Sequence, residues 1–257
     1  MLLVADVGNT QTHVGLMVGD EVVSEWRIAT VRHRTSDELA GLLQGFFSLQ
    51  RETLGEAVDE VGIASVVPRL TQQWTEMSEK HLGITPFVVG PGARTGMRIL
   101  MKNPGEVGAD RIVNAVAAFE TYGGPCIVAD YGTATTFDVI SAEGDYLGGV
   151  IAPGIEVSLE ALTTRAAKLI KVELAEPEHA IGKSTTEALQ SGAVYGFAGE
   201  IEGIVHAIWE ELGEKCRVVA TGGLAELIAR HTDVISVVDP HLTLRGIELV
   251  MRRQRPA

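Results

Sequence analysis

The sequence predicts an α/β protein made of two duplicated domains, each a mixed sheet with flanking helices. Three observations carry this. Strand-like and helix-like runs alternate along the chain, a pattern foreign to sandwiches and bundles. Val4-Ala5-Asp6-Val7-Gly8 is echoed by Val128-Ala129-Asp130-Tyr131-Gly132, an offset of 124 positions. Both copies run on into polar residues, Asn9-Thr10-Gln11-Thr12 and Thr133-Ala134-Thr135-Thr136, and the same offset carries the Gly19-Asp20 turn onto Glu143-Gly144. The boundary is expected near residues 108–124, giving domains 1–115 and 116–257.

Each element has a local reason. Apolar runs at 2–6, 13–18 and 21–28 read as strands, with turns at 8–12 and at Gly19-Asp20. Residues 35–50 read as a helix with Ser36 as N-cap and Leu39, Leu42, Leu43, Phe46 and Phe47 on one face. Val61 to Val67 is a short strand stopped by Pro68, 69–82 is helical, and Phe87-Val88-Val89 is a further strand. Residues 108–122 carry Ile112, Val113, Val116, Ala117 and Phe119 at helical spacing, and Gly123-Gly124-Pro125 ends them. Arg217-Val218-Val219 leads through Ala220-Thr221-Gly222-Gly223 into a helix over Leu224 to Ile228.

Composition narrows the function. The chain has 257 residues, 46% of them hydrophobic and 21% charged, enough to bury a core without disulfide or metal staples. A net charge of −13 argues against nucleic-acid partners, whose footprint is a basic patch. A phosphate ligand would have to be held by backbone N–H groups and a metal ion. Cys126 and Cys216 form neither a CxxC nor a zinc spacing and read as reduced, buried thiols, which points to the cytoplasm. Neither a signal peptide nor a membrane span is expected. Trp26, Trp74 and Trp209 fit core or interface packing, His179 a loop, and Arg252, Arg253 and Arg255 a solvated basic tail.

The two Asp-x-Gly turns are the chemical signal. Glycine allows close approach of backbone and positive φ, successive N–H groups form an anion-binding nest, and an Asp at the strand end can hold a hydrated cation. Two such turns in equivalent places suggest a phosphate clamp. Familiar alternatives fail: Gly182-Lys183-Ser184 has Pro177 where a P-loop needs Gly, Gly90-Pro91-Gly92 lacks the third Gly of a dinucleotide fingerprint, and neither HExxH nor GxSxG occurs. Thr221-Gly222-Gly223 alone is an ordinary βα turn; beside two phosphate turns it reads as a nucleoside platform.

Together these features resemble the actin, hexokinase and Hsp70 ATPase superfamily, and within it type III pantothenate kinases. The resemblance rests on Asp6-Val7-Gly8-Asn9-Thr10, on Asp130 to Thr136, and most specifically on Asn103-Pro104-Gly105-Glu106-Val107-Gly108-Ala109-Asp110-Arg111. It continues through Ala152-Pro153-Gly154, Leu162 to Ala167 and Gln190 to Gly196. It implies two RNase H-like (actin-like) domains with five-stranded sheets and ATP-dependent phosphorylation of pantothenate to 4′-phosphopantothenate, the first step of coenzyme A synthesis. By the same resemblance Asp6, Val7, Gly8, Asn9, Thr10, Gln11, Thr12 and His13 form the first phosphate loop. Thr133, Gly222 and Gly223 meet the nucleotide, and Asp6 holds Mg²⁺ through water. Asp130 binds a monovalent cation (K⁺ or NH₄⁺). Gly108, Ala109, Asp110 and Arg111 bind pantothenate with Asp110 as general base, and Thr185 reaches the substrate from the other subunit of a homodimer. Neither nucleic acid nor membrane is an expected partner.

Read from the residues alone, Asp110 at a helix start is better explained as a dipole-favoured N-terminal charge than as a base. Arg111 is either a bidentate partner for a substrate carboxylate or a surface ion pair with an acid such as Glu106. The chain departs from the family pattern at Met101, where Tyr is usual, and at Ile170, where Pro is common. Met101 leaves room for a non-catalytic regulatory or transcriptional accessory protein, and a kinase of the same fold for another small alcohol or acid is a further alternative.

Overall fold

The structure, a computed structural model, describes residues 1–166, 169 and 172–255. Ala167 and Ile170 lie outside the described residues. The chain forms two compact units. The first contains Met1–Met97, Lys102–Ala117 and the segment from His241 onward; the second contains Arg98–Met101 and Ala118–Pro240.

In chain order the first unit presents β1 (Leu2–Val7), β2 (Gln11–Val18), β3 (Glu21–Ala29), α1 (Ser36–Leu49), α2 (Leu54–Ala57), β4 (Glu60–Ser65), α3 (Pro68–Met77) and β5 (Phe87–Val88). Then α4 (Ala109–Tyr122) leads towards the second unit, with β6 (Cys126–Tyr131), β7 (Ala134–Ile140), β8 (Tyr146–Pro153), α5 (Ile155–Arg165), α6 (Thr185–Leu212), β9 (Arg217–Gly222), α7 (Ala225–Ala229) and β10 (Val237–Val238). Helix α8 (Leu242–Arg252) returns to the first unit.

The duplication read from the sequence is present strand for strand. The sheets run β3-β2-β1-β4-β5 and β8-β7-β6-β9-β10, each with an antiparallel hairpin pair and parallel strands on the other side. Each second hairpin also carries a register shift, at Leu16/Met17 and at Val139/Ile140. The hairpin tips differ: Val18 opposes Glu21 directly, whereas Ile140 opposes Tyr146 across a longer turn. The left-handed glycine is Gly19 in one and Gly144 in the other.

One face of the first sheet packs on α1 and α3. Leu3, Ala5, Val7, Val14, Leu16, Leu43, Phe47 and Trp74 are buried there, and each large apolar side chain contributes about 1.5–3 kcal/mol. Trp26 stacks on Phe46 with centroids 5.5 Å apart. The corresponding face of the second sheet (Ile127, Ala129, Tyr131, Phe137) packs with Ala198, Ile201 and Val205 of α6.

The other face of the first sheet receives α8 because of two glycines. Val4 has Gly15 on one neighbouring strand and Gly62 on the other. A side chain at Gly15 would meet Leu244 at 2.7 Å, and one at Gly62 would meet Ile247 at 2.9 Å. The missing side chains form the groove in which α8 lies.

Several local expectations are corrected. Thr35, not Ser36, caps α1: Glu38 N–H donates to its hydroxyl and the Glu38 carboxylate accepts from the Thr35 N–H, a complete capping box. Ser36 is the first helical residue and is buried. The helix expected over 69–82 stays α only to Met77; Ser78–Leu82 widens into a π turn ended by left-handed Gly83. Arg252 and Arg255 of the basic tail are exposed, as expected, but the tail is tied to the first unit. Arg253 donates to the Thr95 carbonyl, Arg255 pairs with Glu60, and Gln254 exchanges two hydrogen bonds with the Arg94 backbone. Cys126 is buried, its thiol pushed up to about 12 by desolvation, but Cys216 is only half-buried. Both are free. Among the described residues no helix is long and apolar enough to cross a membrane.

Candidate active site

Within the first unit, β1 places Asp6 one residue before its C-terminal end, on the face opposite the α1/α3 core. The chain turns through Gly8, Asn9 and Thr10 before β2. Gly8 is not at positive φ, contrary to expectation. Its need for glycine is steric: its N–H donates to Gln11 O at 3.1 Å, and a Cβ would stand 2.9 Å from that oxygen.

The eight residues expected as the first phosphate loop therefore divide. Asn9, Thr10 and Gln11 are exposed, and Asp6 and Gly8 are half-buried. Val7 points into the core. Thr12 is buried with its hydroxyl 2.9 Å from that of Thr30, which fixes the turn to β3. His13 is also buried: its Nε2 lies 2.6 Å from Glu25 Oε2, and His241 Nε2 approaches the same oxygen at 3.3 Å. Burial, helped by the charge of Arg27, holds the His13 imidazole below its ordinary range despite Glu25. His13 is thus a buried tie beside Asp6, its cross-strand neighbour, rather than a ligand-facing group.

Asp110 stands in the first turn of α4. Burial raises its carboxyl pKa above the ordinary value, against the Arg111 backbone N–H, which donates to Oδ1 at 2.8 Å, and the Arg111 charge. A Cβ at Gly108 would lie 2.3 Å from Asp110 Oδ1 and 3.5 Å from Val66, so a side chain there would displace the carboxylate from its present place beside the exit of β4. Val66 N–H donates to Val7 O at 3.1 Å, which sets the same exit beside the first turn. Helix α4 is in turn fixed by α8, because a Cβ at Gly246 would lie 2.2 Å from Val113 O. Glu106 is engaged by Asn103 Nδ2 at 2.8 Å.

In the second unit Asp130 occupies the corresponding place on β6, opposite Thr136 and Thr221. The turn is one residue shorter: Gly132 N–H donates to Ala134 O at 3.1 Å. Two glycines line it. Gly222, at φ +93°, has Tyr131 O 2.5 Å and Asp130 Oδ1 2.8 Å from where its Cβ would be, and Gly154 has Thr133 O and Gly132 O at 2.3 and 2.6 Å. Three successive carbonyls and a carboxylate thus face positions that only hydrogen can fill. Thr133 and Gly223 are exposed beside them. Thr185 is exposed as the first residue of α6, whose N-cap is Ser184. Gly182-Lys183-Ser184 is the capped entry to this helix, with Lys183 N–H donating to Glu187, and His179 lies in the exposed loop before it.

Sequence reasoning missed Gly15, Gly62 and Gly246 as supports, and Glu25 with His241 as the anchor of His13. The signal for the glycines was present: a glycine inside a strand or a helix marks close approach of another element. Among the described residues no group of three or more His, Cys, Asp or Glu side chains is arranged to hold a metal. Single carboxylates at strand ends instead suit a hydrated ion shared with phosphate oxygens.

Comparison with known proteins agrees with this architecture. The family model for type III pantothenate kinase matches residues 2–207. The type III pantothenate kinase of Moorella thermoacetica is 53% identical over 98% of this chain and 99% of its own length, and that of Streptomyces avermitilis is 52% identical over 98% of both. The ROK hexokinase of Thermus thermophilus shares the fold at a TM-score of 0.52 and 13% identity, covering 99% of each chain. The duplicated sheets, the two Asp-x-Gly turns and the match along nearly the whole sequence have one meaning: the chain belongs to the type III pantothenate kinase family.

Proposed function

We propose that this chain transfers the γ-phosphoryl group of ATP to the primary hydroxyl of pantothenate, giving 4′-phosphopantothenate and ADP, with the residues below in the roles stated. The observation that carries the assignment is Asp110: a half-buried carboxylate of raised pKa, beside Gly108 and the strand exit next to the first turn. Its raised pKa makes it a better proton acceptor than an exposed Asp. The hydroxyl oxygen bonds to the γ-phosphorus as the bond from phosphorus to the β–γ bridging oxygen breaks, and the hydroxyl proton passes late to Asp110. Arg111 meets the pantothenate carboxylate as a planar, bidentate donor, with Gly108 and Ala109 lining the same loop.

ATP, used with a divalent metal, fits the kinase fold. In this reading Gly8, Asn9, Thr10 and Gln11 present the first turn to the phosphates, supported from behind by Val7, Thr12 and His13. Asp6 would hold Mg²⁺ through water, and the ion would supply charge neutralisation to the phosphates. Thr133, Gly222 and Gly223 seat the nucleotide. The oxygen-rich second turn suits a monovalent cation, K⁺ or NH₄⁺, at Asp130. Thr185 contacts substrate in a second copy of the chain, as a homodimer requires, and the enzyme works in the cytoplasm.

The test is an assay of purified protein with ATP, Mg²⁺ and pantothenate, with and without K⁺ or NH₄⁺. Formation of 4′-phosphopantothenate that rises with the cation is expected. Turnover of other small alcohols but not pantothenate would overturn the substrate, and no turnover under any cation would overturn the kinase.

A further inference from the structure

The loop carrying Gly108, Asp110 and Arg111 does not begin as a free connection. Ahead of it the chain is fixed twice. Residues 94–96 are held in the first unit: Arg94 N–H donates to Gln254 Oε1, and Gln254 Nε2 to Arg94 O, both at 3.1 Å, while Arg253 reaches the Thr95 carbonyl across Gly96. The next four residues, Arg98–Met101, belong to the second unit. There Ile99 makes a parallel bridge with Tyr146 at the start of β8, with Tyr146 N–H to Arg98 O and Leu100 N–H to Tyr146 O both at 2.8 Å. Arg98 grips Asp145 with two nitrogens, Nε to Oδ1 at 2.7 Å and Nη2 to Oδ2. Met101 follows, its sulfur 3.3 Å from where a Cβ at Gly148 would lie. In place of a phenol hydroxyl it supplies a packing contact.

The Arg98 side chain is 74% exposed and that of Asp145 only 10%. The Arg98 end is open to solvent while the Asp145 carboxylate is buried, and the two parallel hydrogen bonds between them fix orientation. We propose that Arg98 and Asp145 are positioning residues for the acceptor: they register 98–101 on the edge of β8 and so set where residues 102–111 start. This rests on the reading of 108–111 as the pantothenate loop.

The experiment is a double-mutant cycle of Arg98→Ala and Asp145→Asn. Arg98→Ala should lower kcat/KM for pantothenate by about tenfold while KM for ATP stays within about twofold. The double variant should be no worse than the single, since both remove one contact. Arg98→Lys, which keeps the charge and loses the paired geometry, should restore part of the loss; should Arg98→Ala not fold, this variant completes the same cycle. Amide exchange of residues 102–111 in the ligand-free protein should rise in Arg98→Ala or Arg98→Lys while β6 and β7 stay protected. Additive losses, an equal rise in KM for both substrates, or unchanged exchange in the loop would overturn the proposal. A wild-type protein that does not phosphorylate pantothenate would overturn the reading of the loop's ligand, and the exchange result would then decide the positioning by itself.

Discussion

The two Asp-x-Gly turns sit at the same place in sheets of the same order, yet they are built differently. The first spans three residues, exposes the side chains of Asn9, Thr10 and Gln11, and is tied to β3 through Thr12 and Thr30. The second spans two residues and directs the Tyr131, Gly132 and Thr133 carbonyls and the Asp130 carboxylate at glycines 154 and 222. A turn that offers neutral polar side chains suits phosphate; one lined with oxygens suits a cation. The scaffold is duplicated, and a one-residue difference with two distant glycines gives the copies different turn geometry.

The largest effect is expected where neither turn contributes. Asp110→Asn should lower kcat by about 10²–10⁴-fold without loss of thermal stability, read by a steady-state assay beside calorimetry. The sign follows from the raised pKa. Between the ordinary carboxyl value of 3.8 and the higher folded value the native state binds more protons, so stability falls as pH rises through that window, and at neutral pH the ionised carboxylate opposes folding. The Asn variant escapes that penalty. A variant that loses stability with its activity would mark Asp110 as structural.

Gly222→Ala comes next and strikes the second turn. Its Cβ has no room and its φ of +93° strains any other residue, so a loss of about 1–3 kcal/mol is expected, with the response to K⁺ abolished. Gly8→Ala in the first turn lacks the φ penalty and should instead raise KM for ATP. Equal cation responses in both variants would erase the difference between the turns.

Gly246→Ala tests the support shared with neither turn. It pushes α8 from α4 at Val113 and should cost about 1–3 kcal/mol by overpacking, with a fall in kcat because α4 carries Asp110. A smaller effect concerns the anchor of the first turn. His13 is held below its ordinary value of 6.5, so below pH 6.5 the unfolded chain takes a proton that the folded chain refuses. Stability should fall on acidification between 6.5 and the lower folded value, and His13→Gln should flatten that slope in thermal melts between pH 7.5 and 5.5. The smallest change is Thr35→Ala, which removes one cap for about 1 kcal/mol and should leave both turns and kcat untouched.

Much of this was legible in the chain. The duplicated plan, with a hairpin opening each half, could be anticipated from the echo of Val4-Ala5-Asp6, because hairpins and βα units leave local periodicities. The helix over 109–122 and its glycine stop were equally plain. The loop 103–111 was legible by resemblance, not by physics: a carboxylate in a first helical turn has an ordinary explanation until its burial is seen. What side chains face was not legible. Val7, Thr12 and His13 were expected in the first phosphate loop, but the pairing of β1 with β2 extends to them and all three are buried. The ties of the basic tail were not legible because its partners, Glu60, Thr95 and Arg94, lie more than 150 positions away.

The sequence by itself determined the duplicated α/β plan and the two turns, since each copy is written in residues close along the chain. Only the tertiary structure decided which glycines matter and why. Gly15 and Gly62 make room for a helix from the far end of the chain, Gly246 lets that helix touch the one bearing Asp110, and Gly154 and Gly222 make room for the backbone of the second turn. A glycine's function is the atom it lacks, and what would have collided with that atom is known only once the chain has folded.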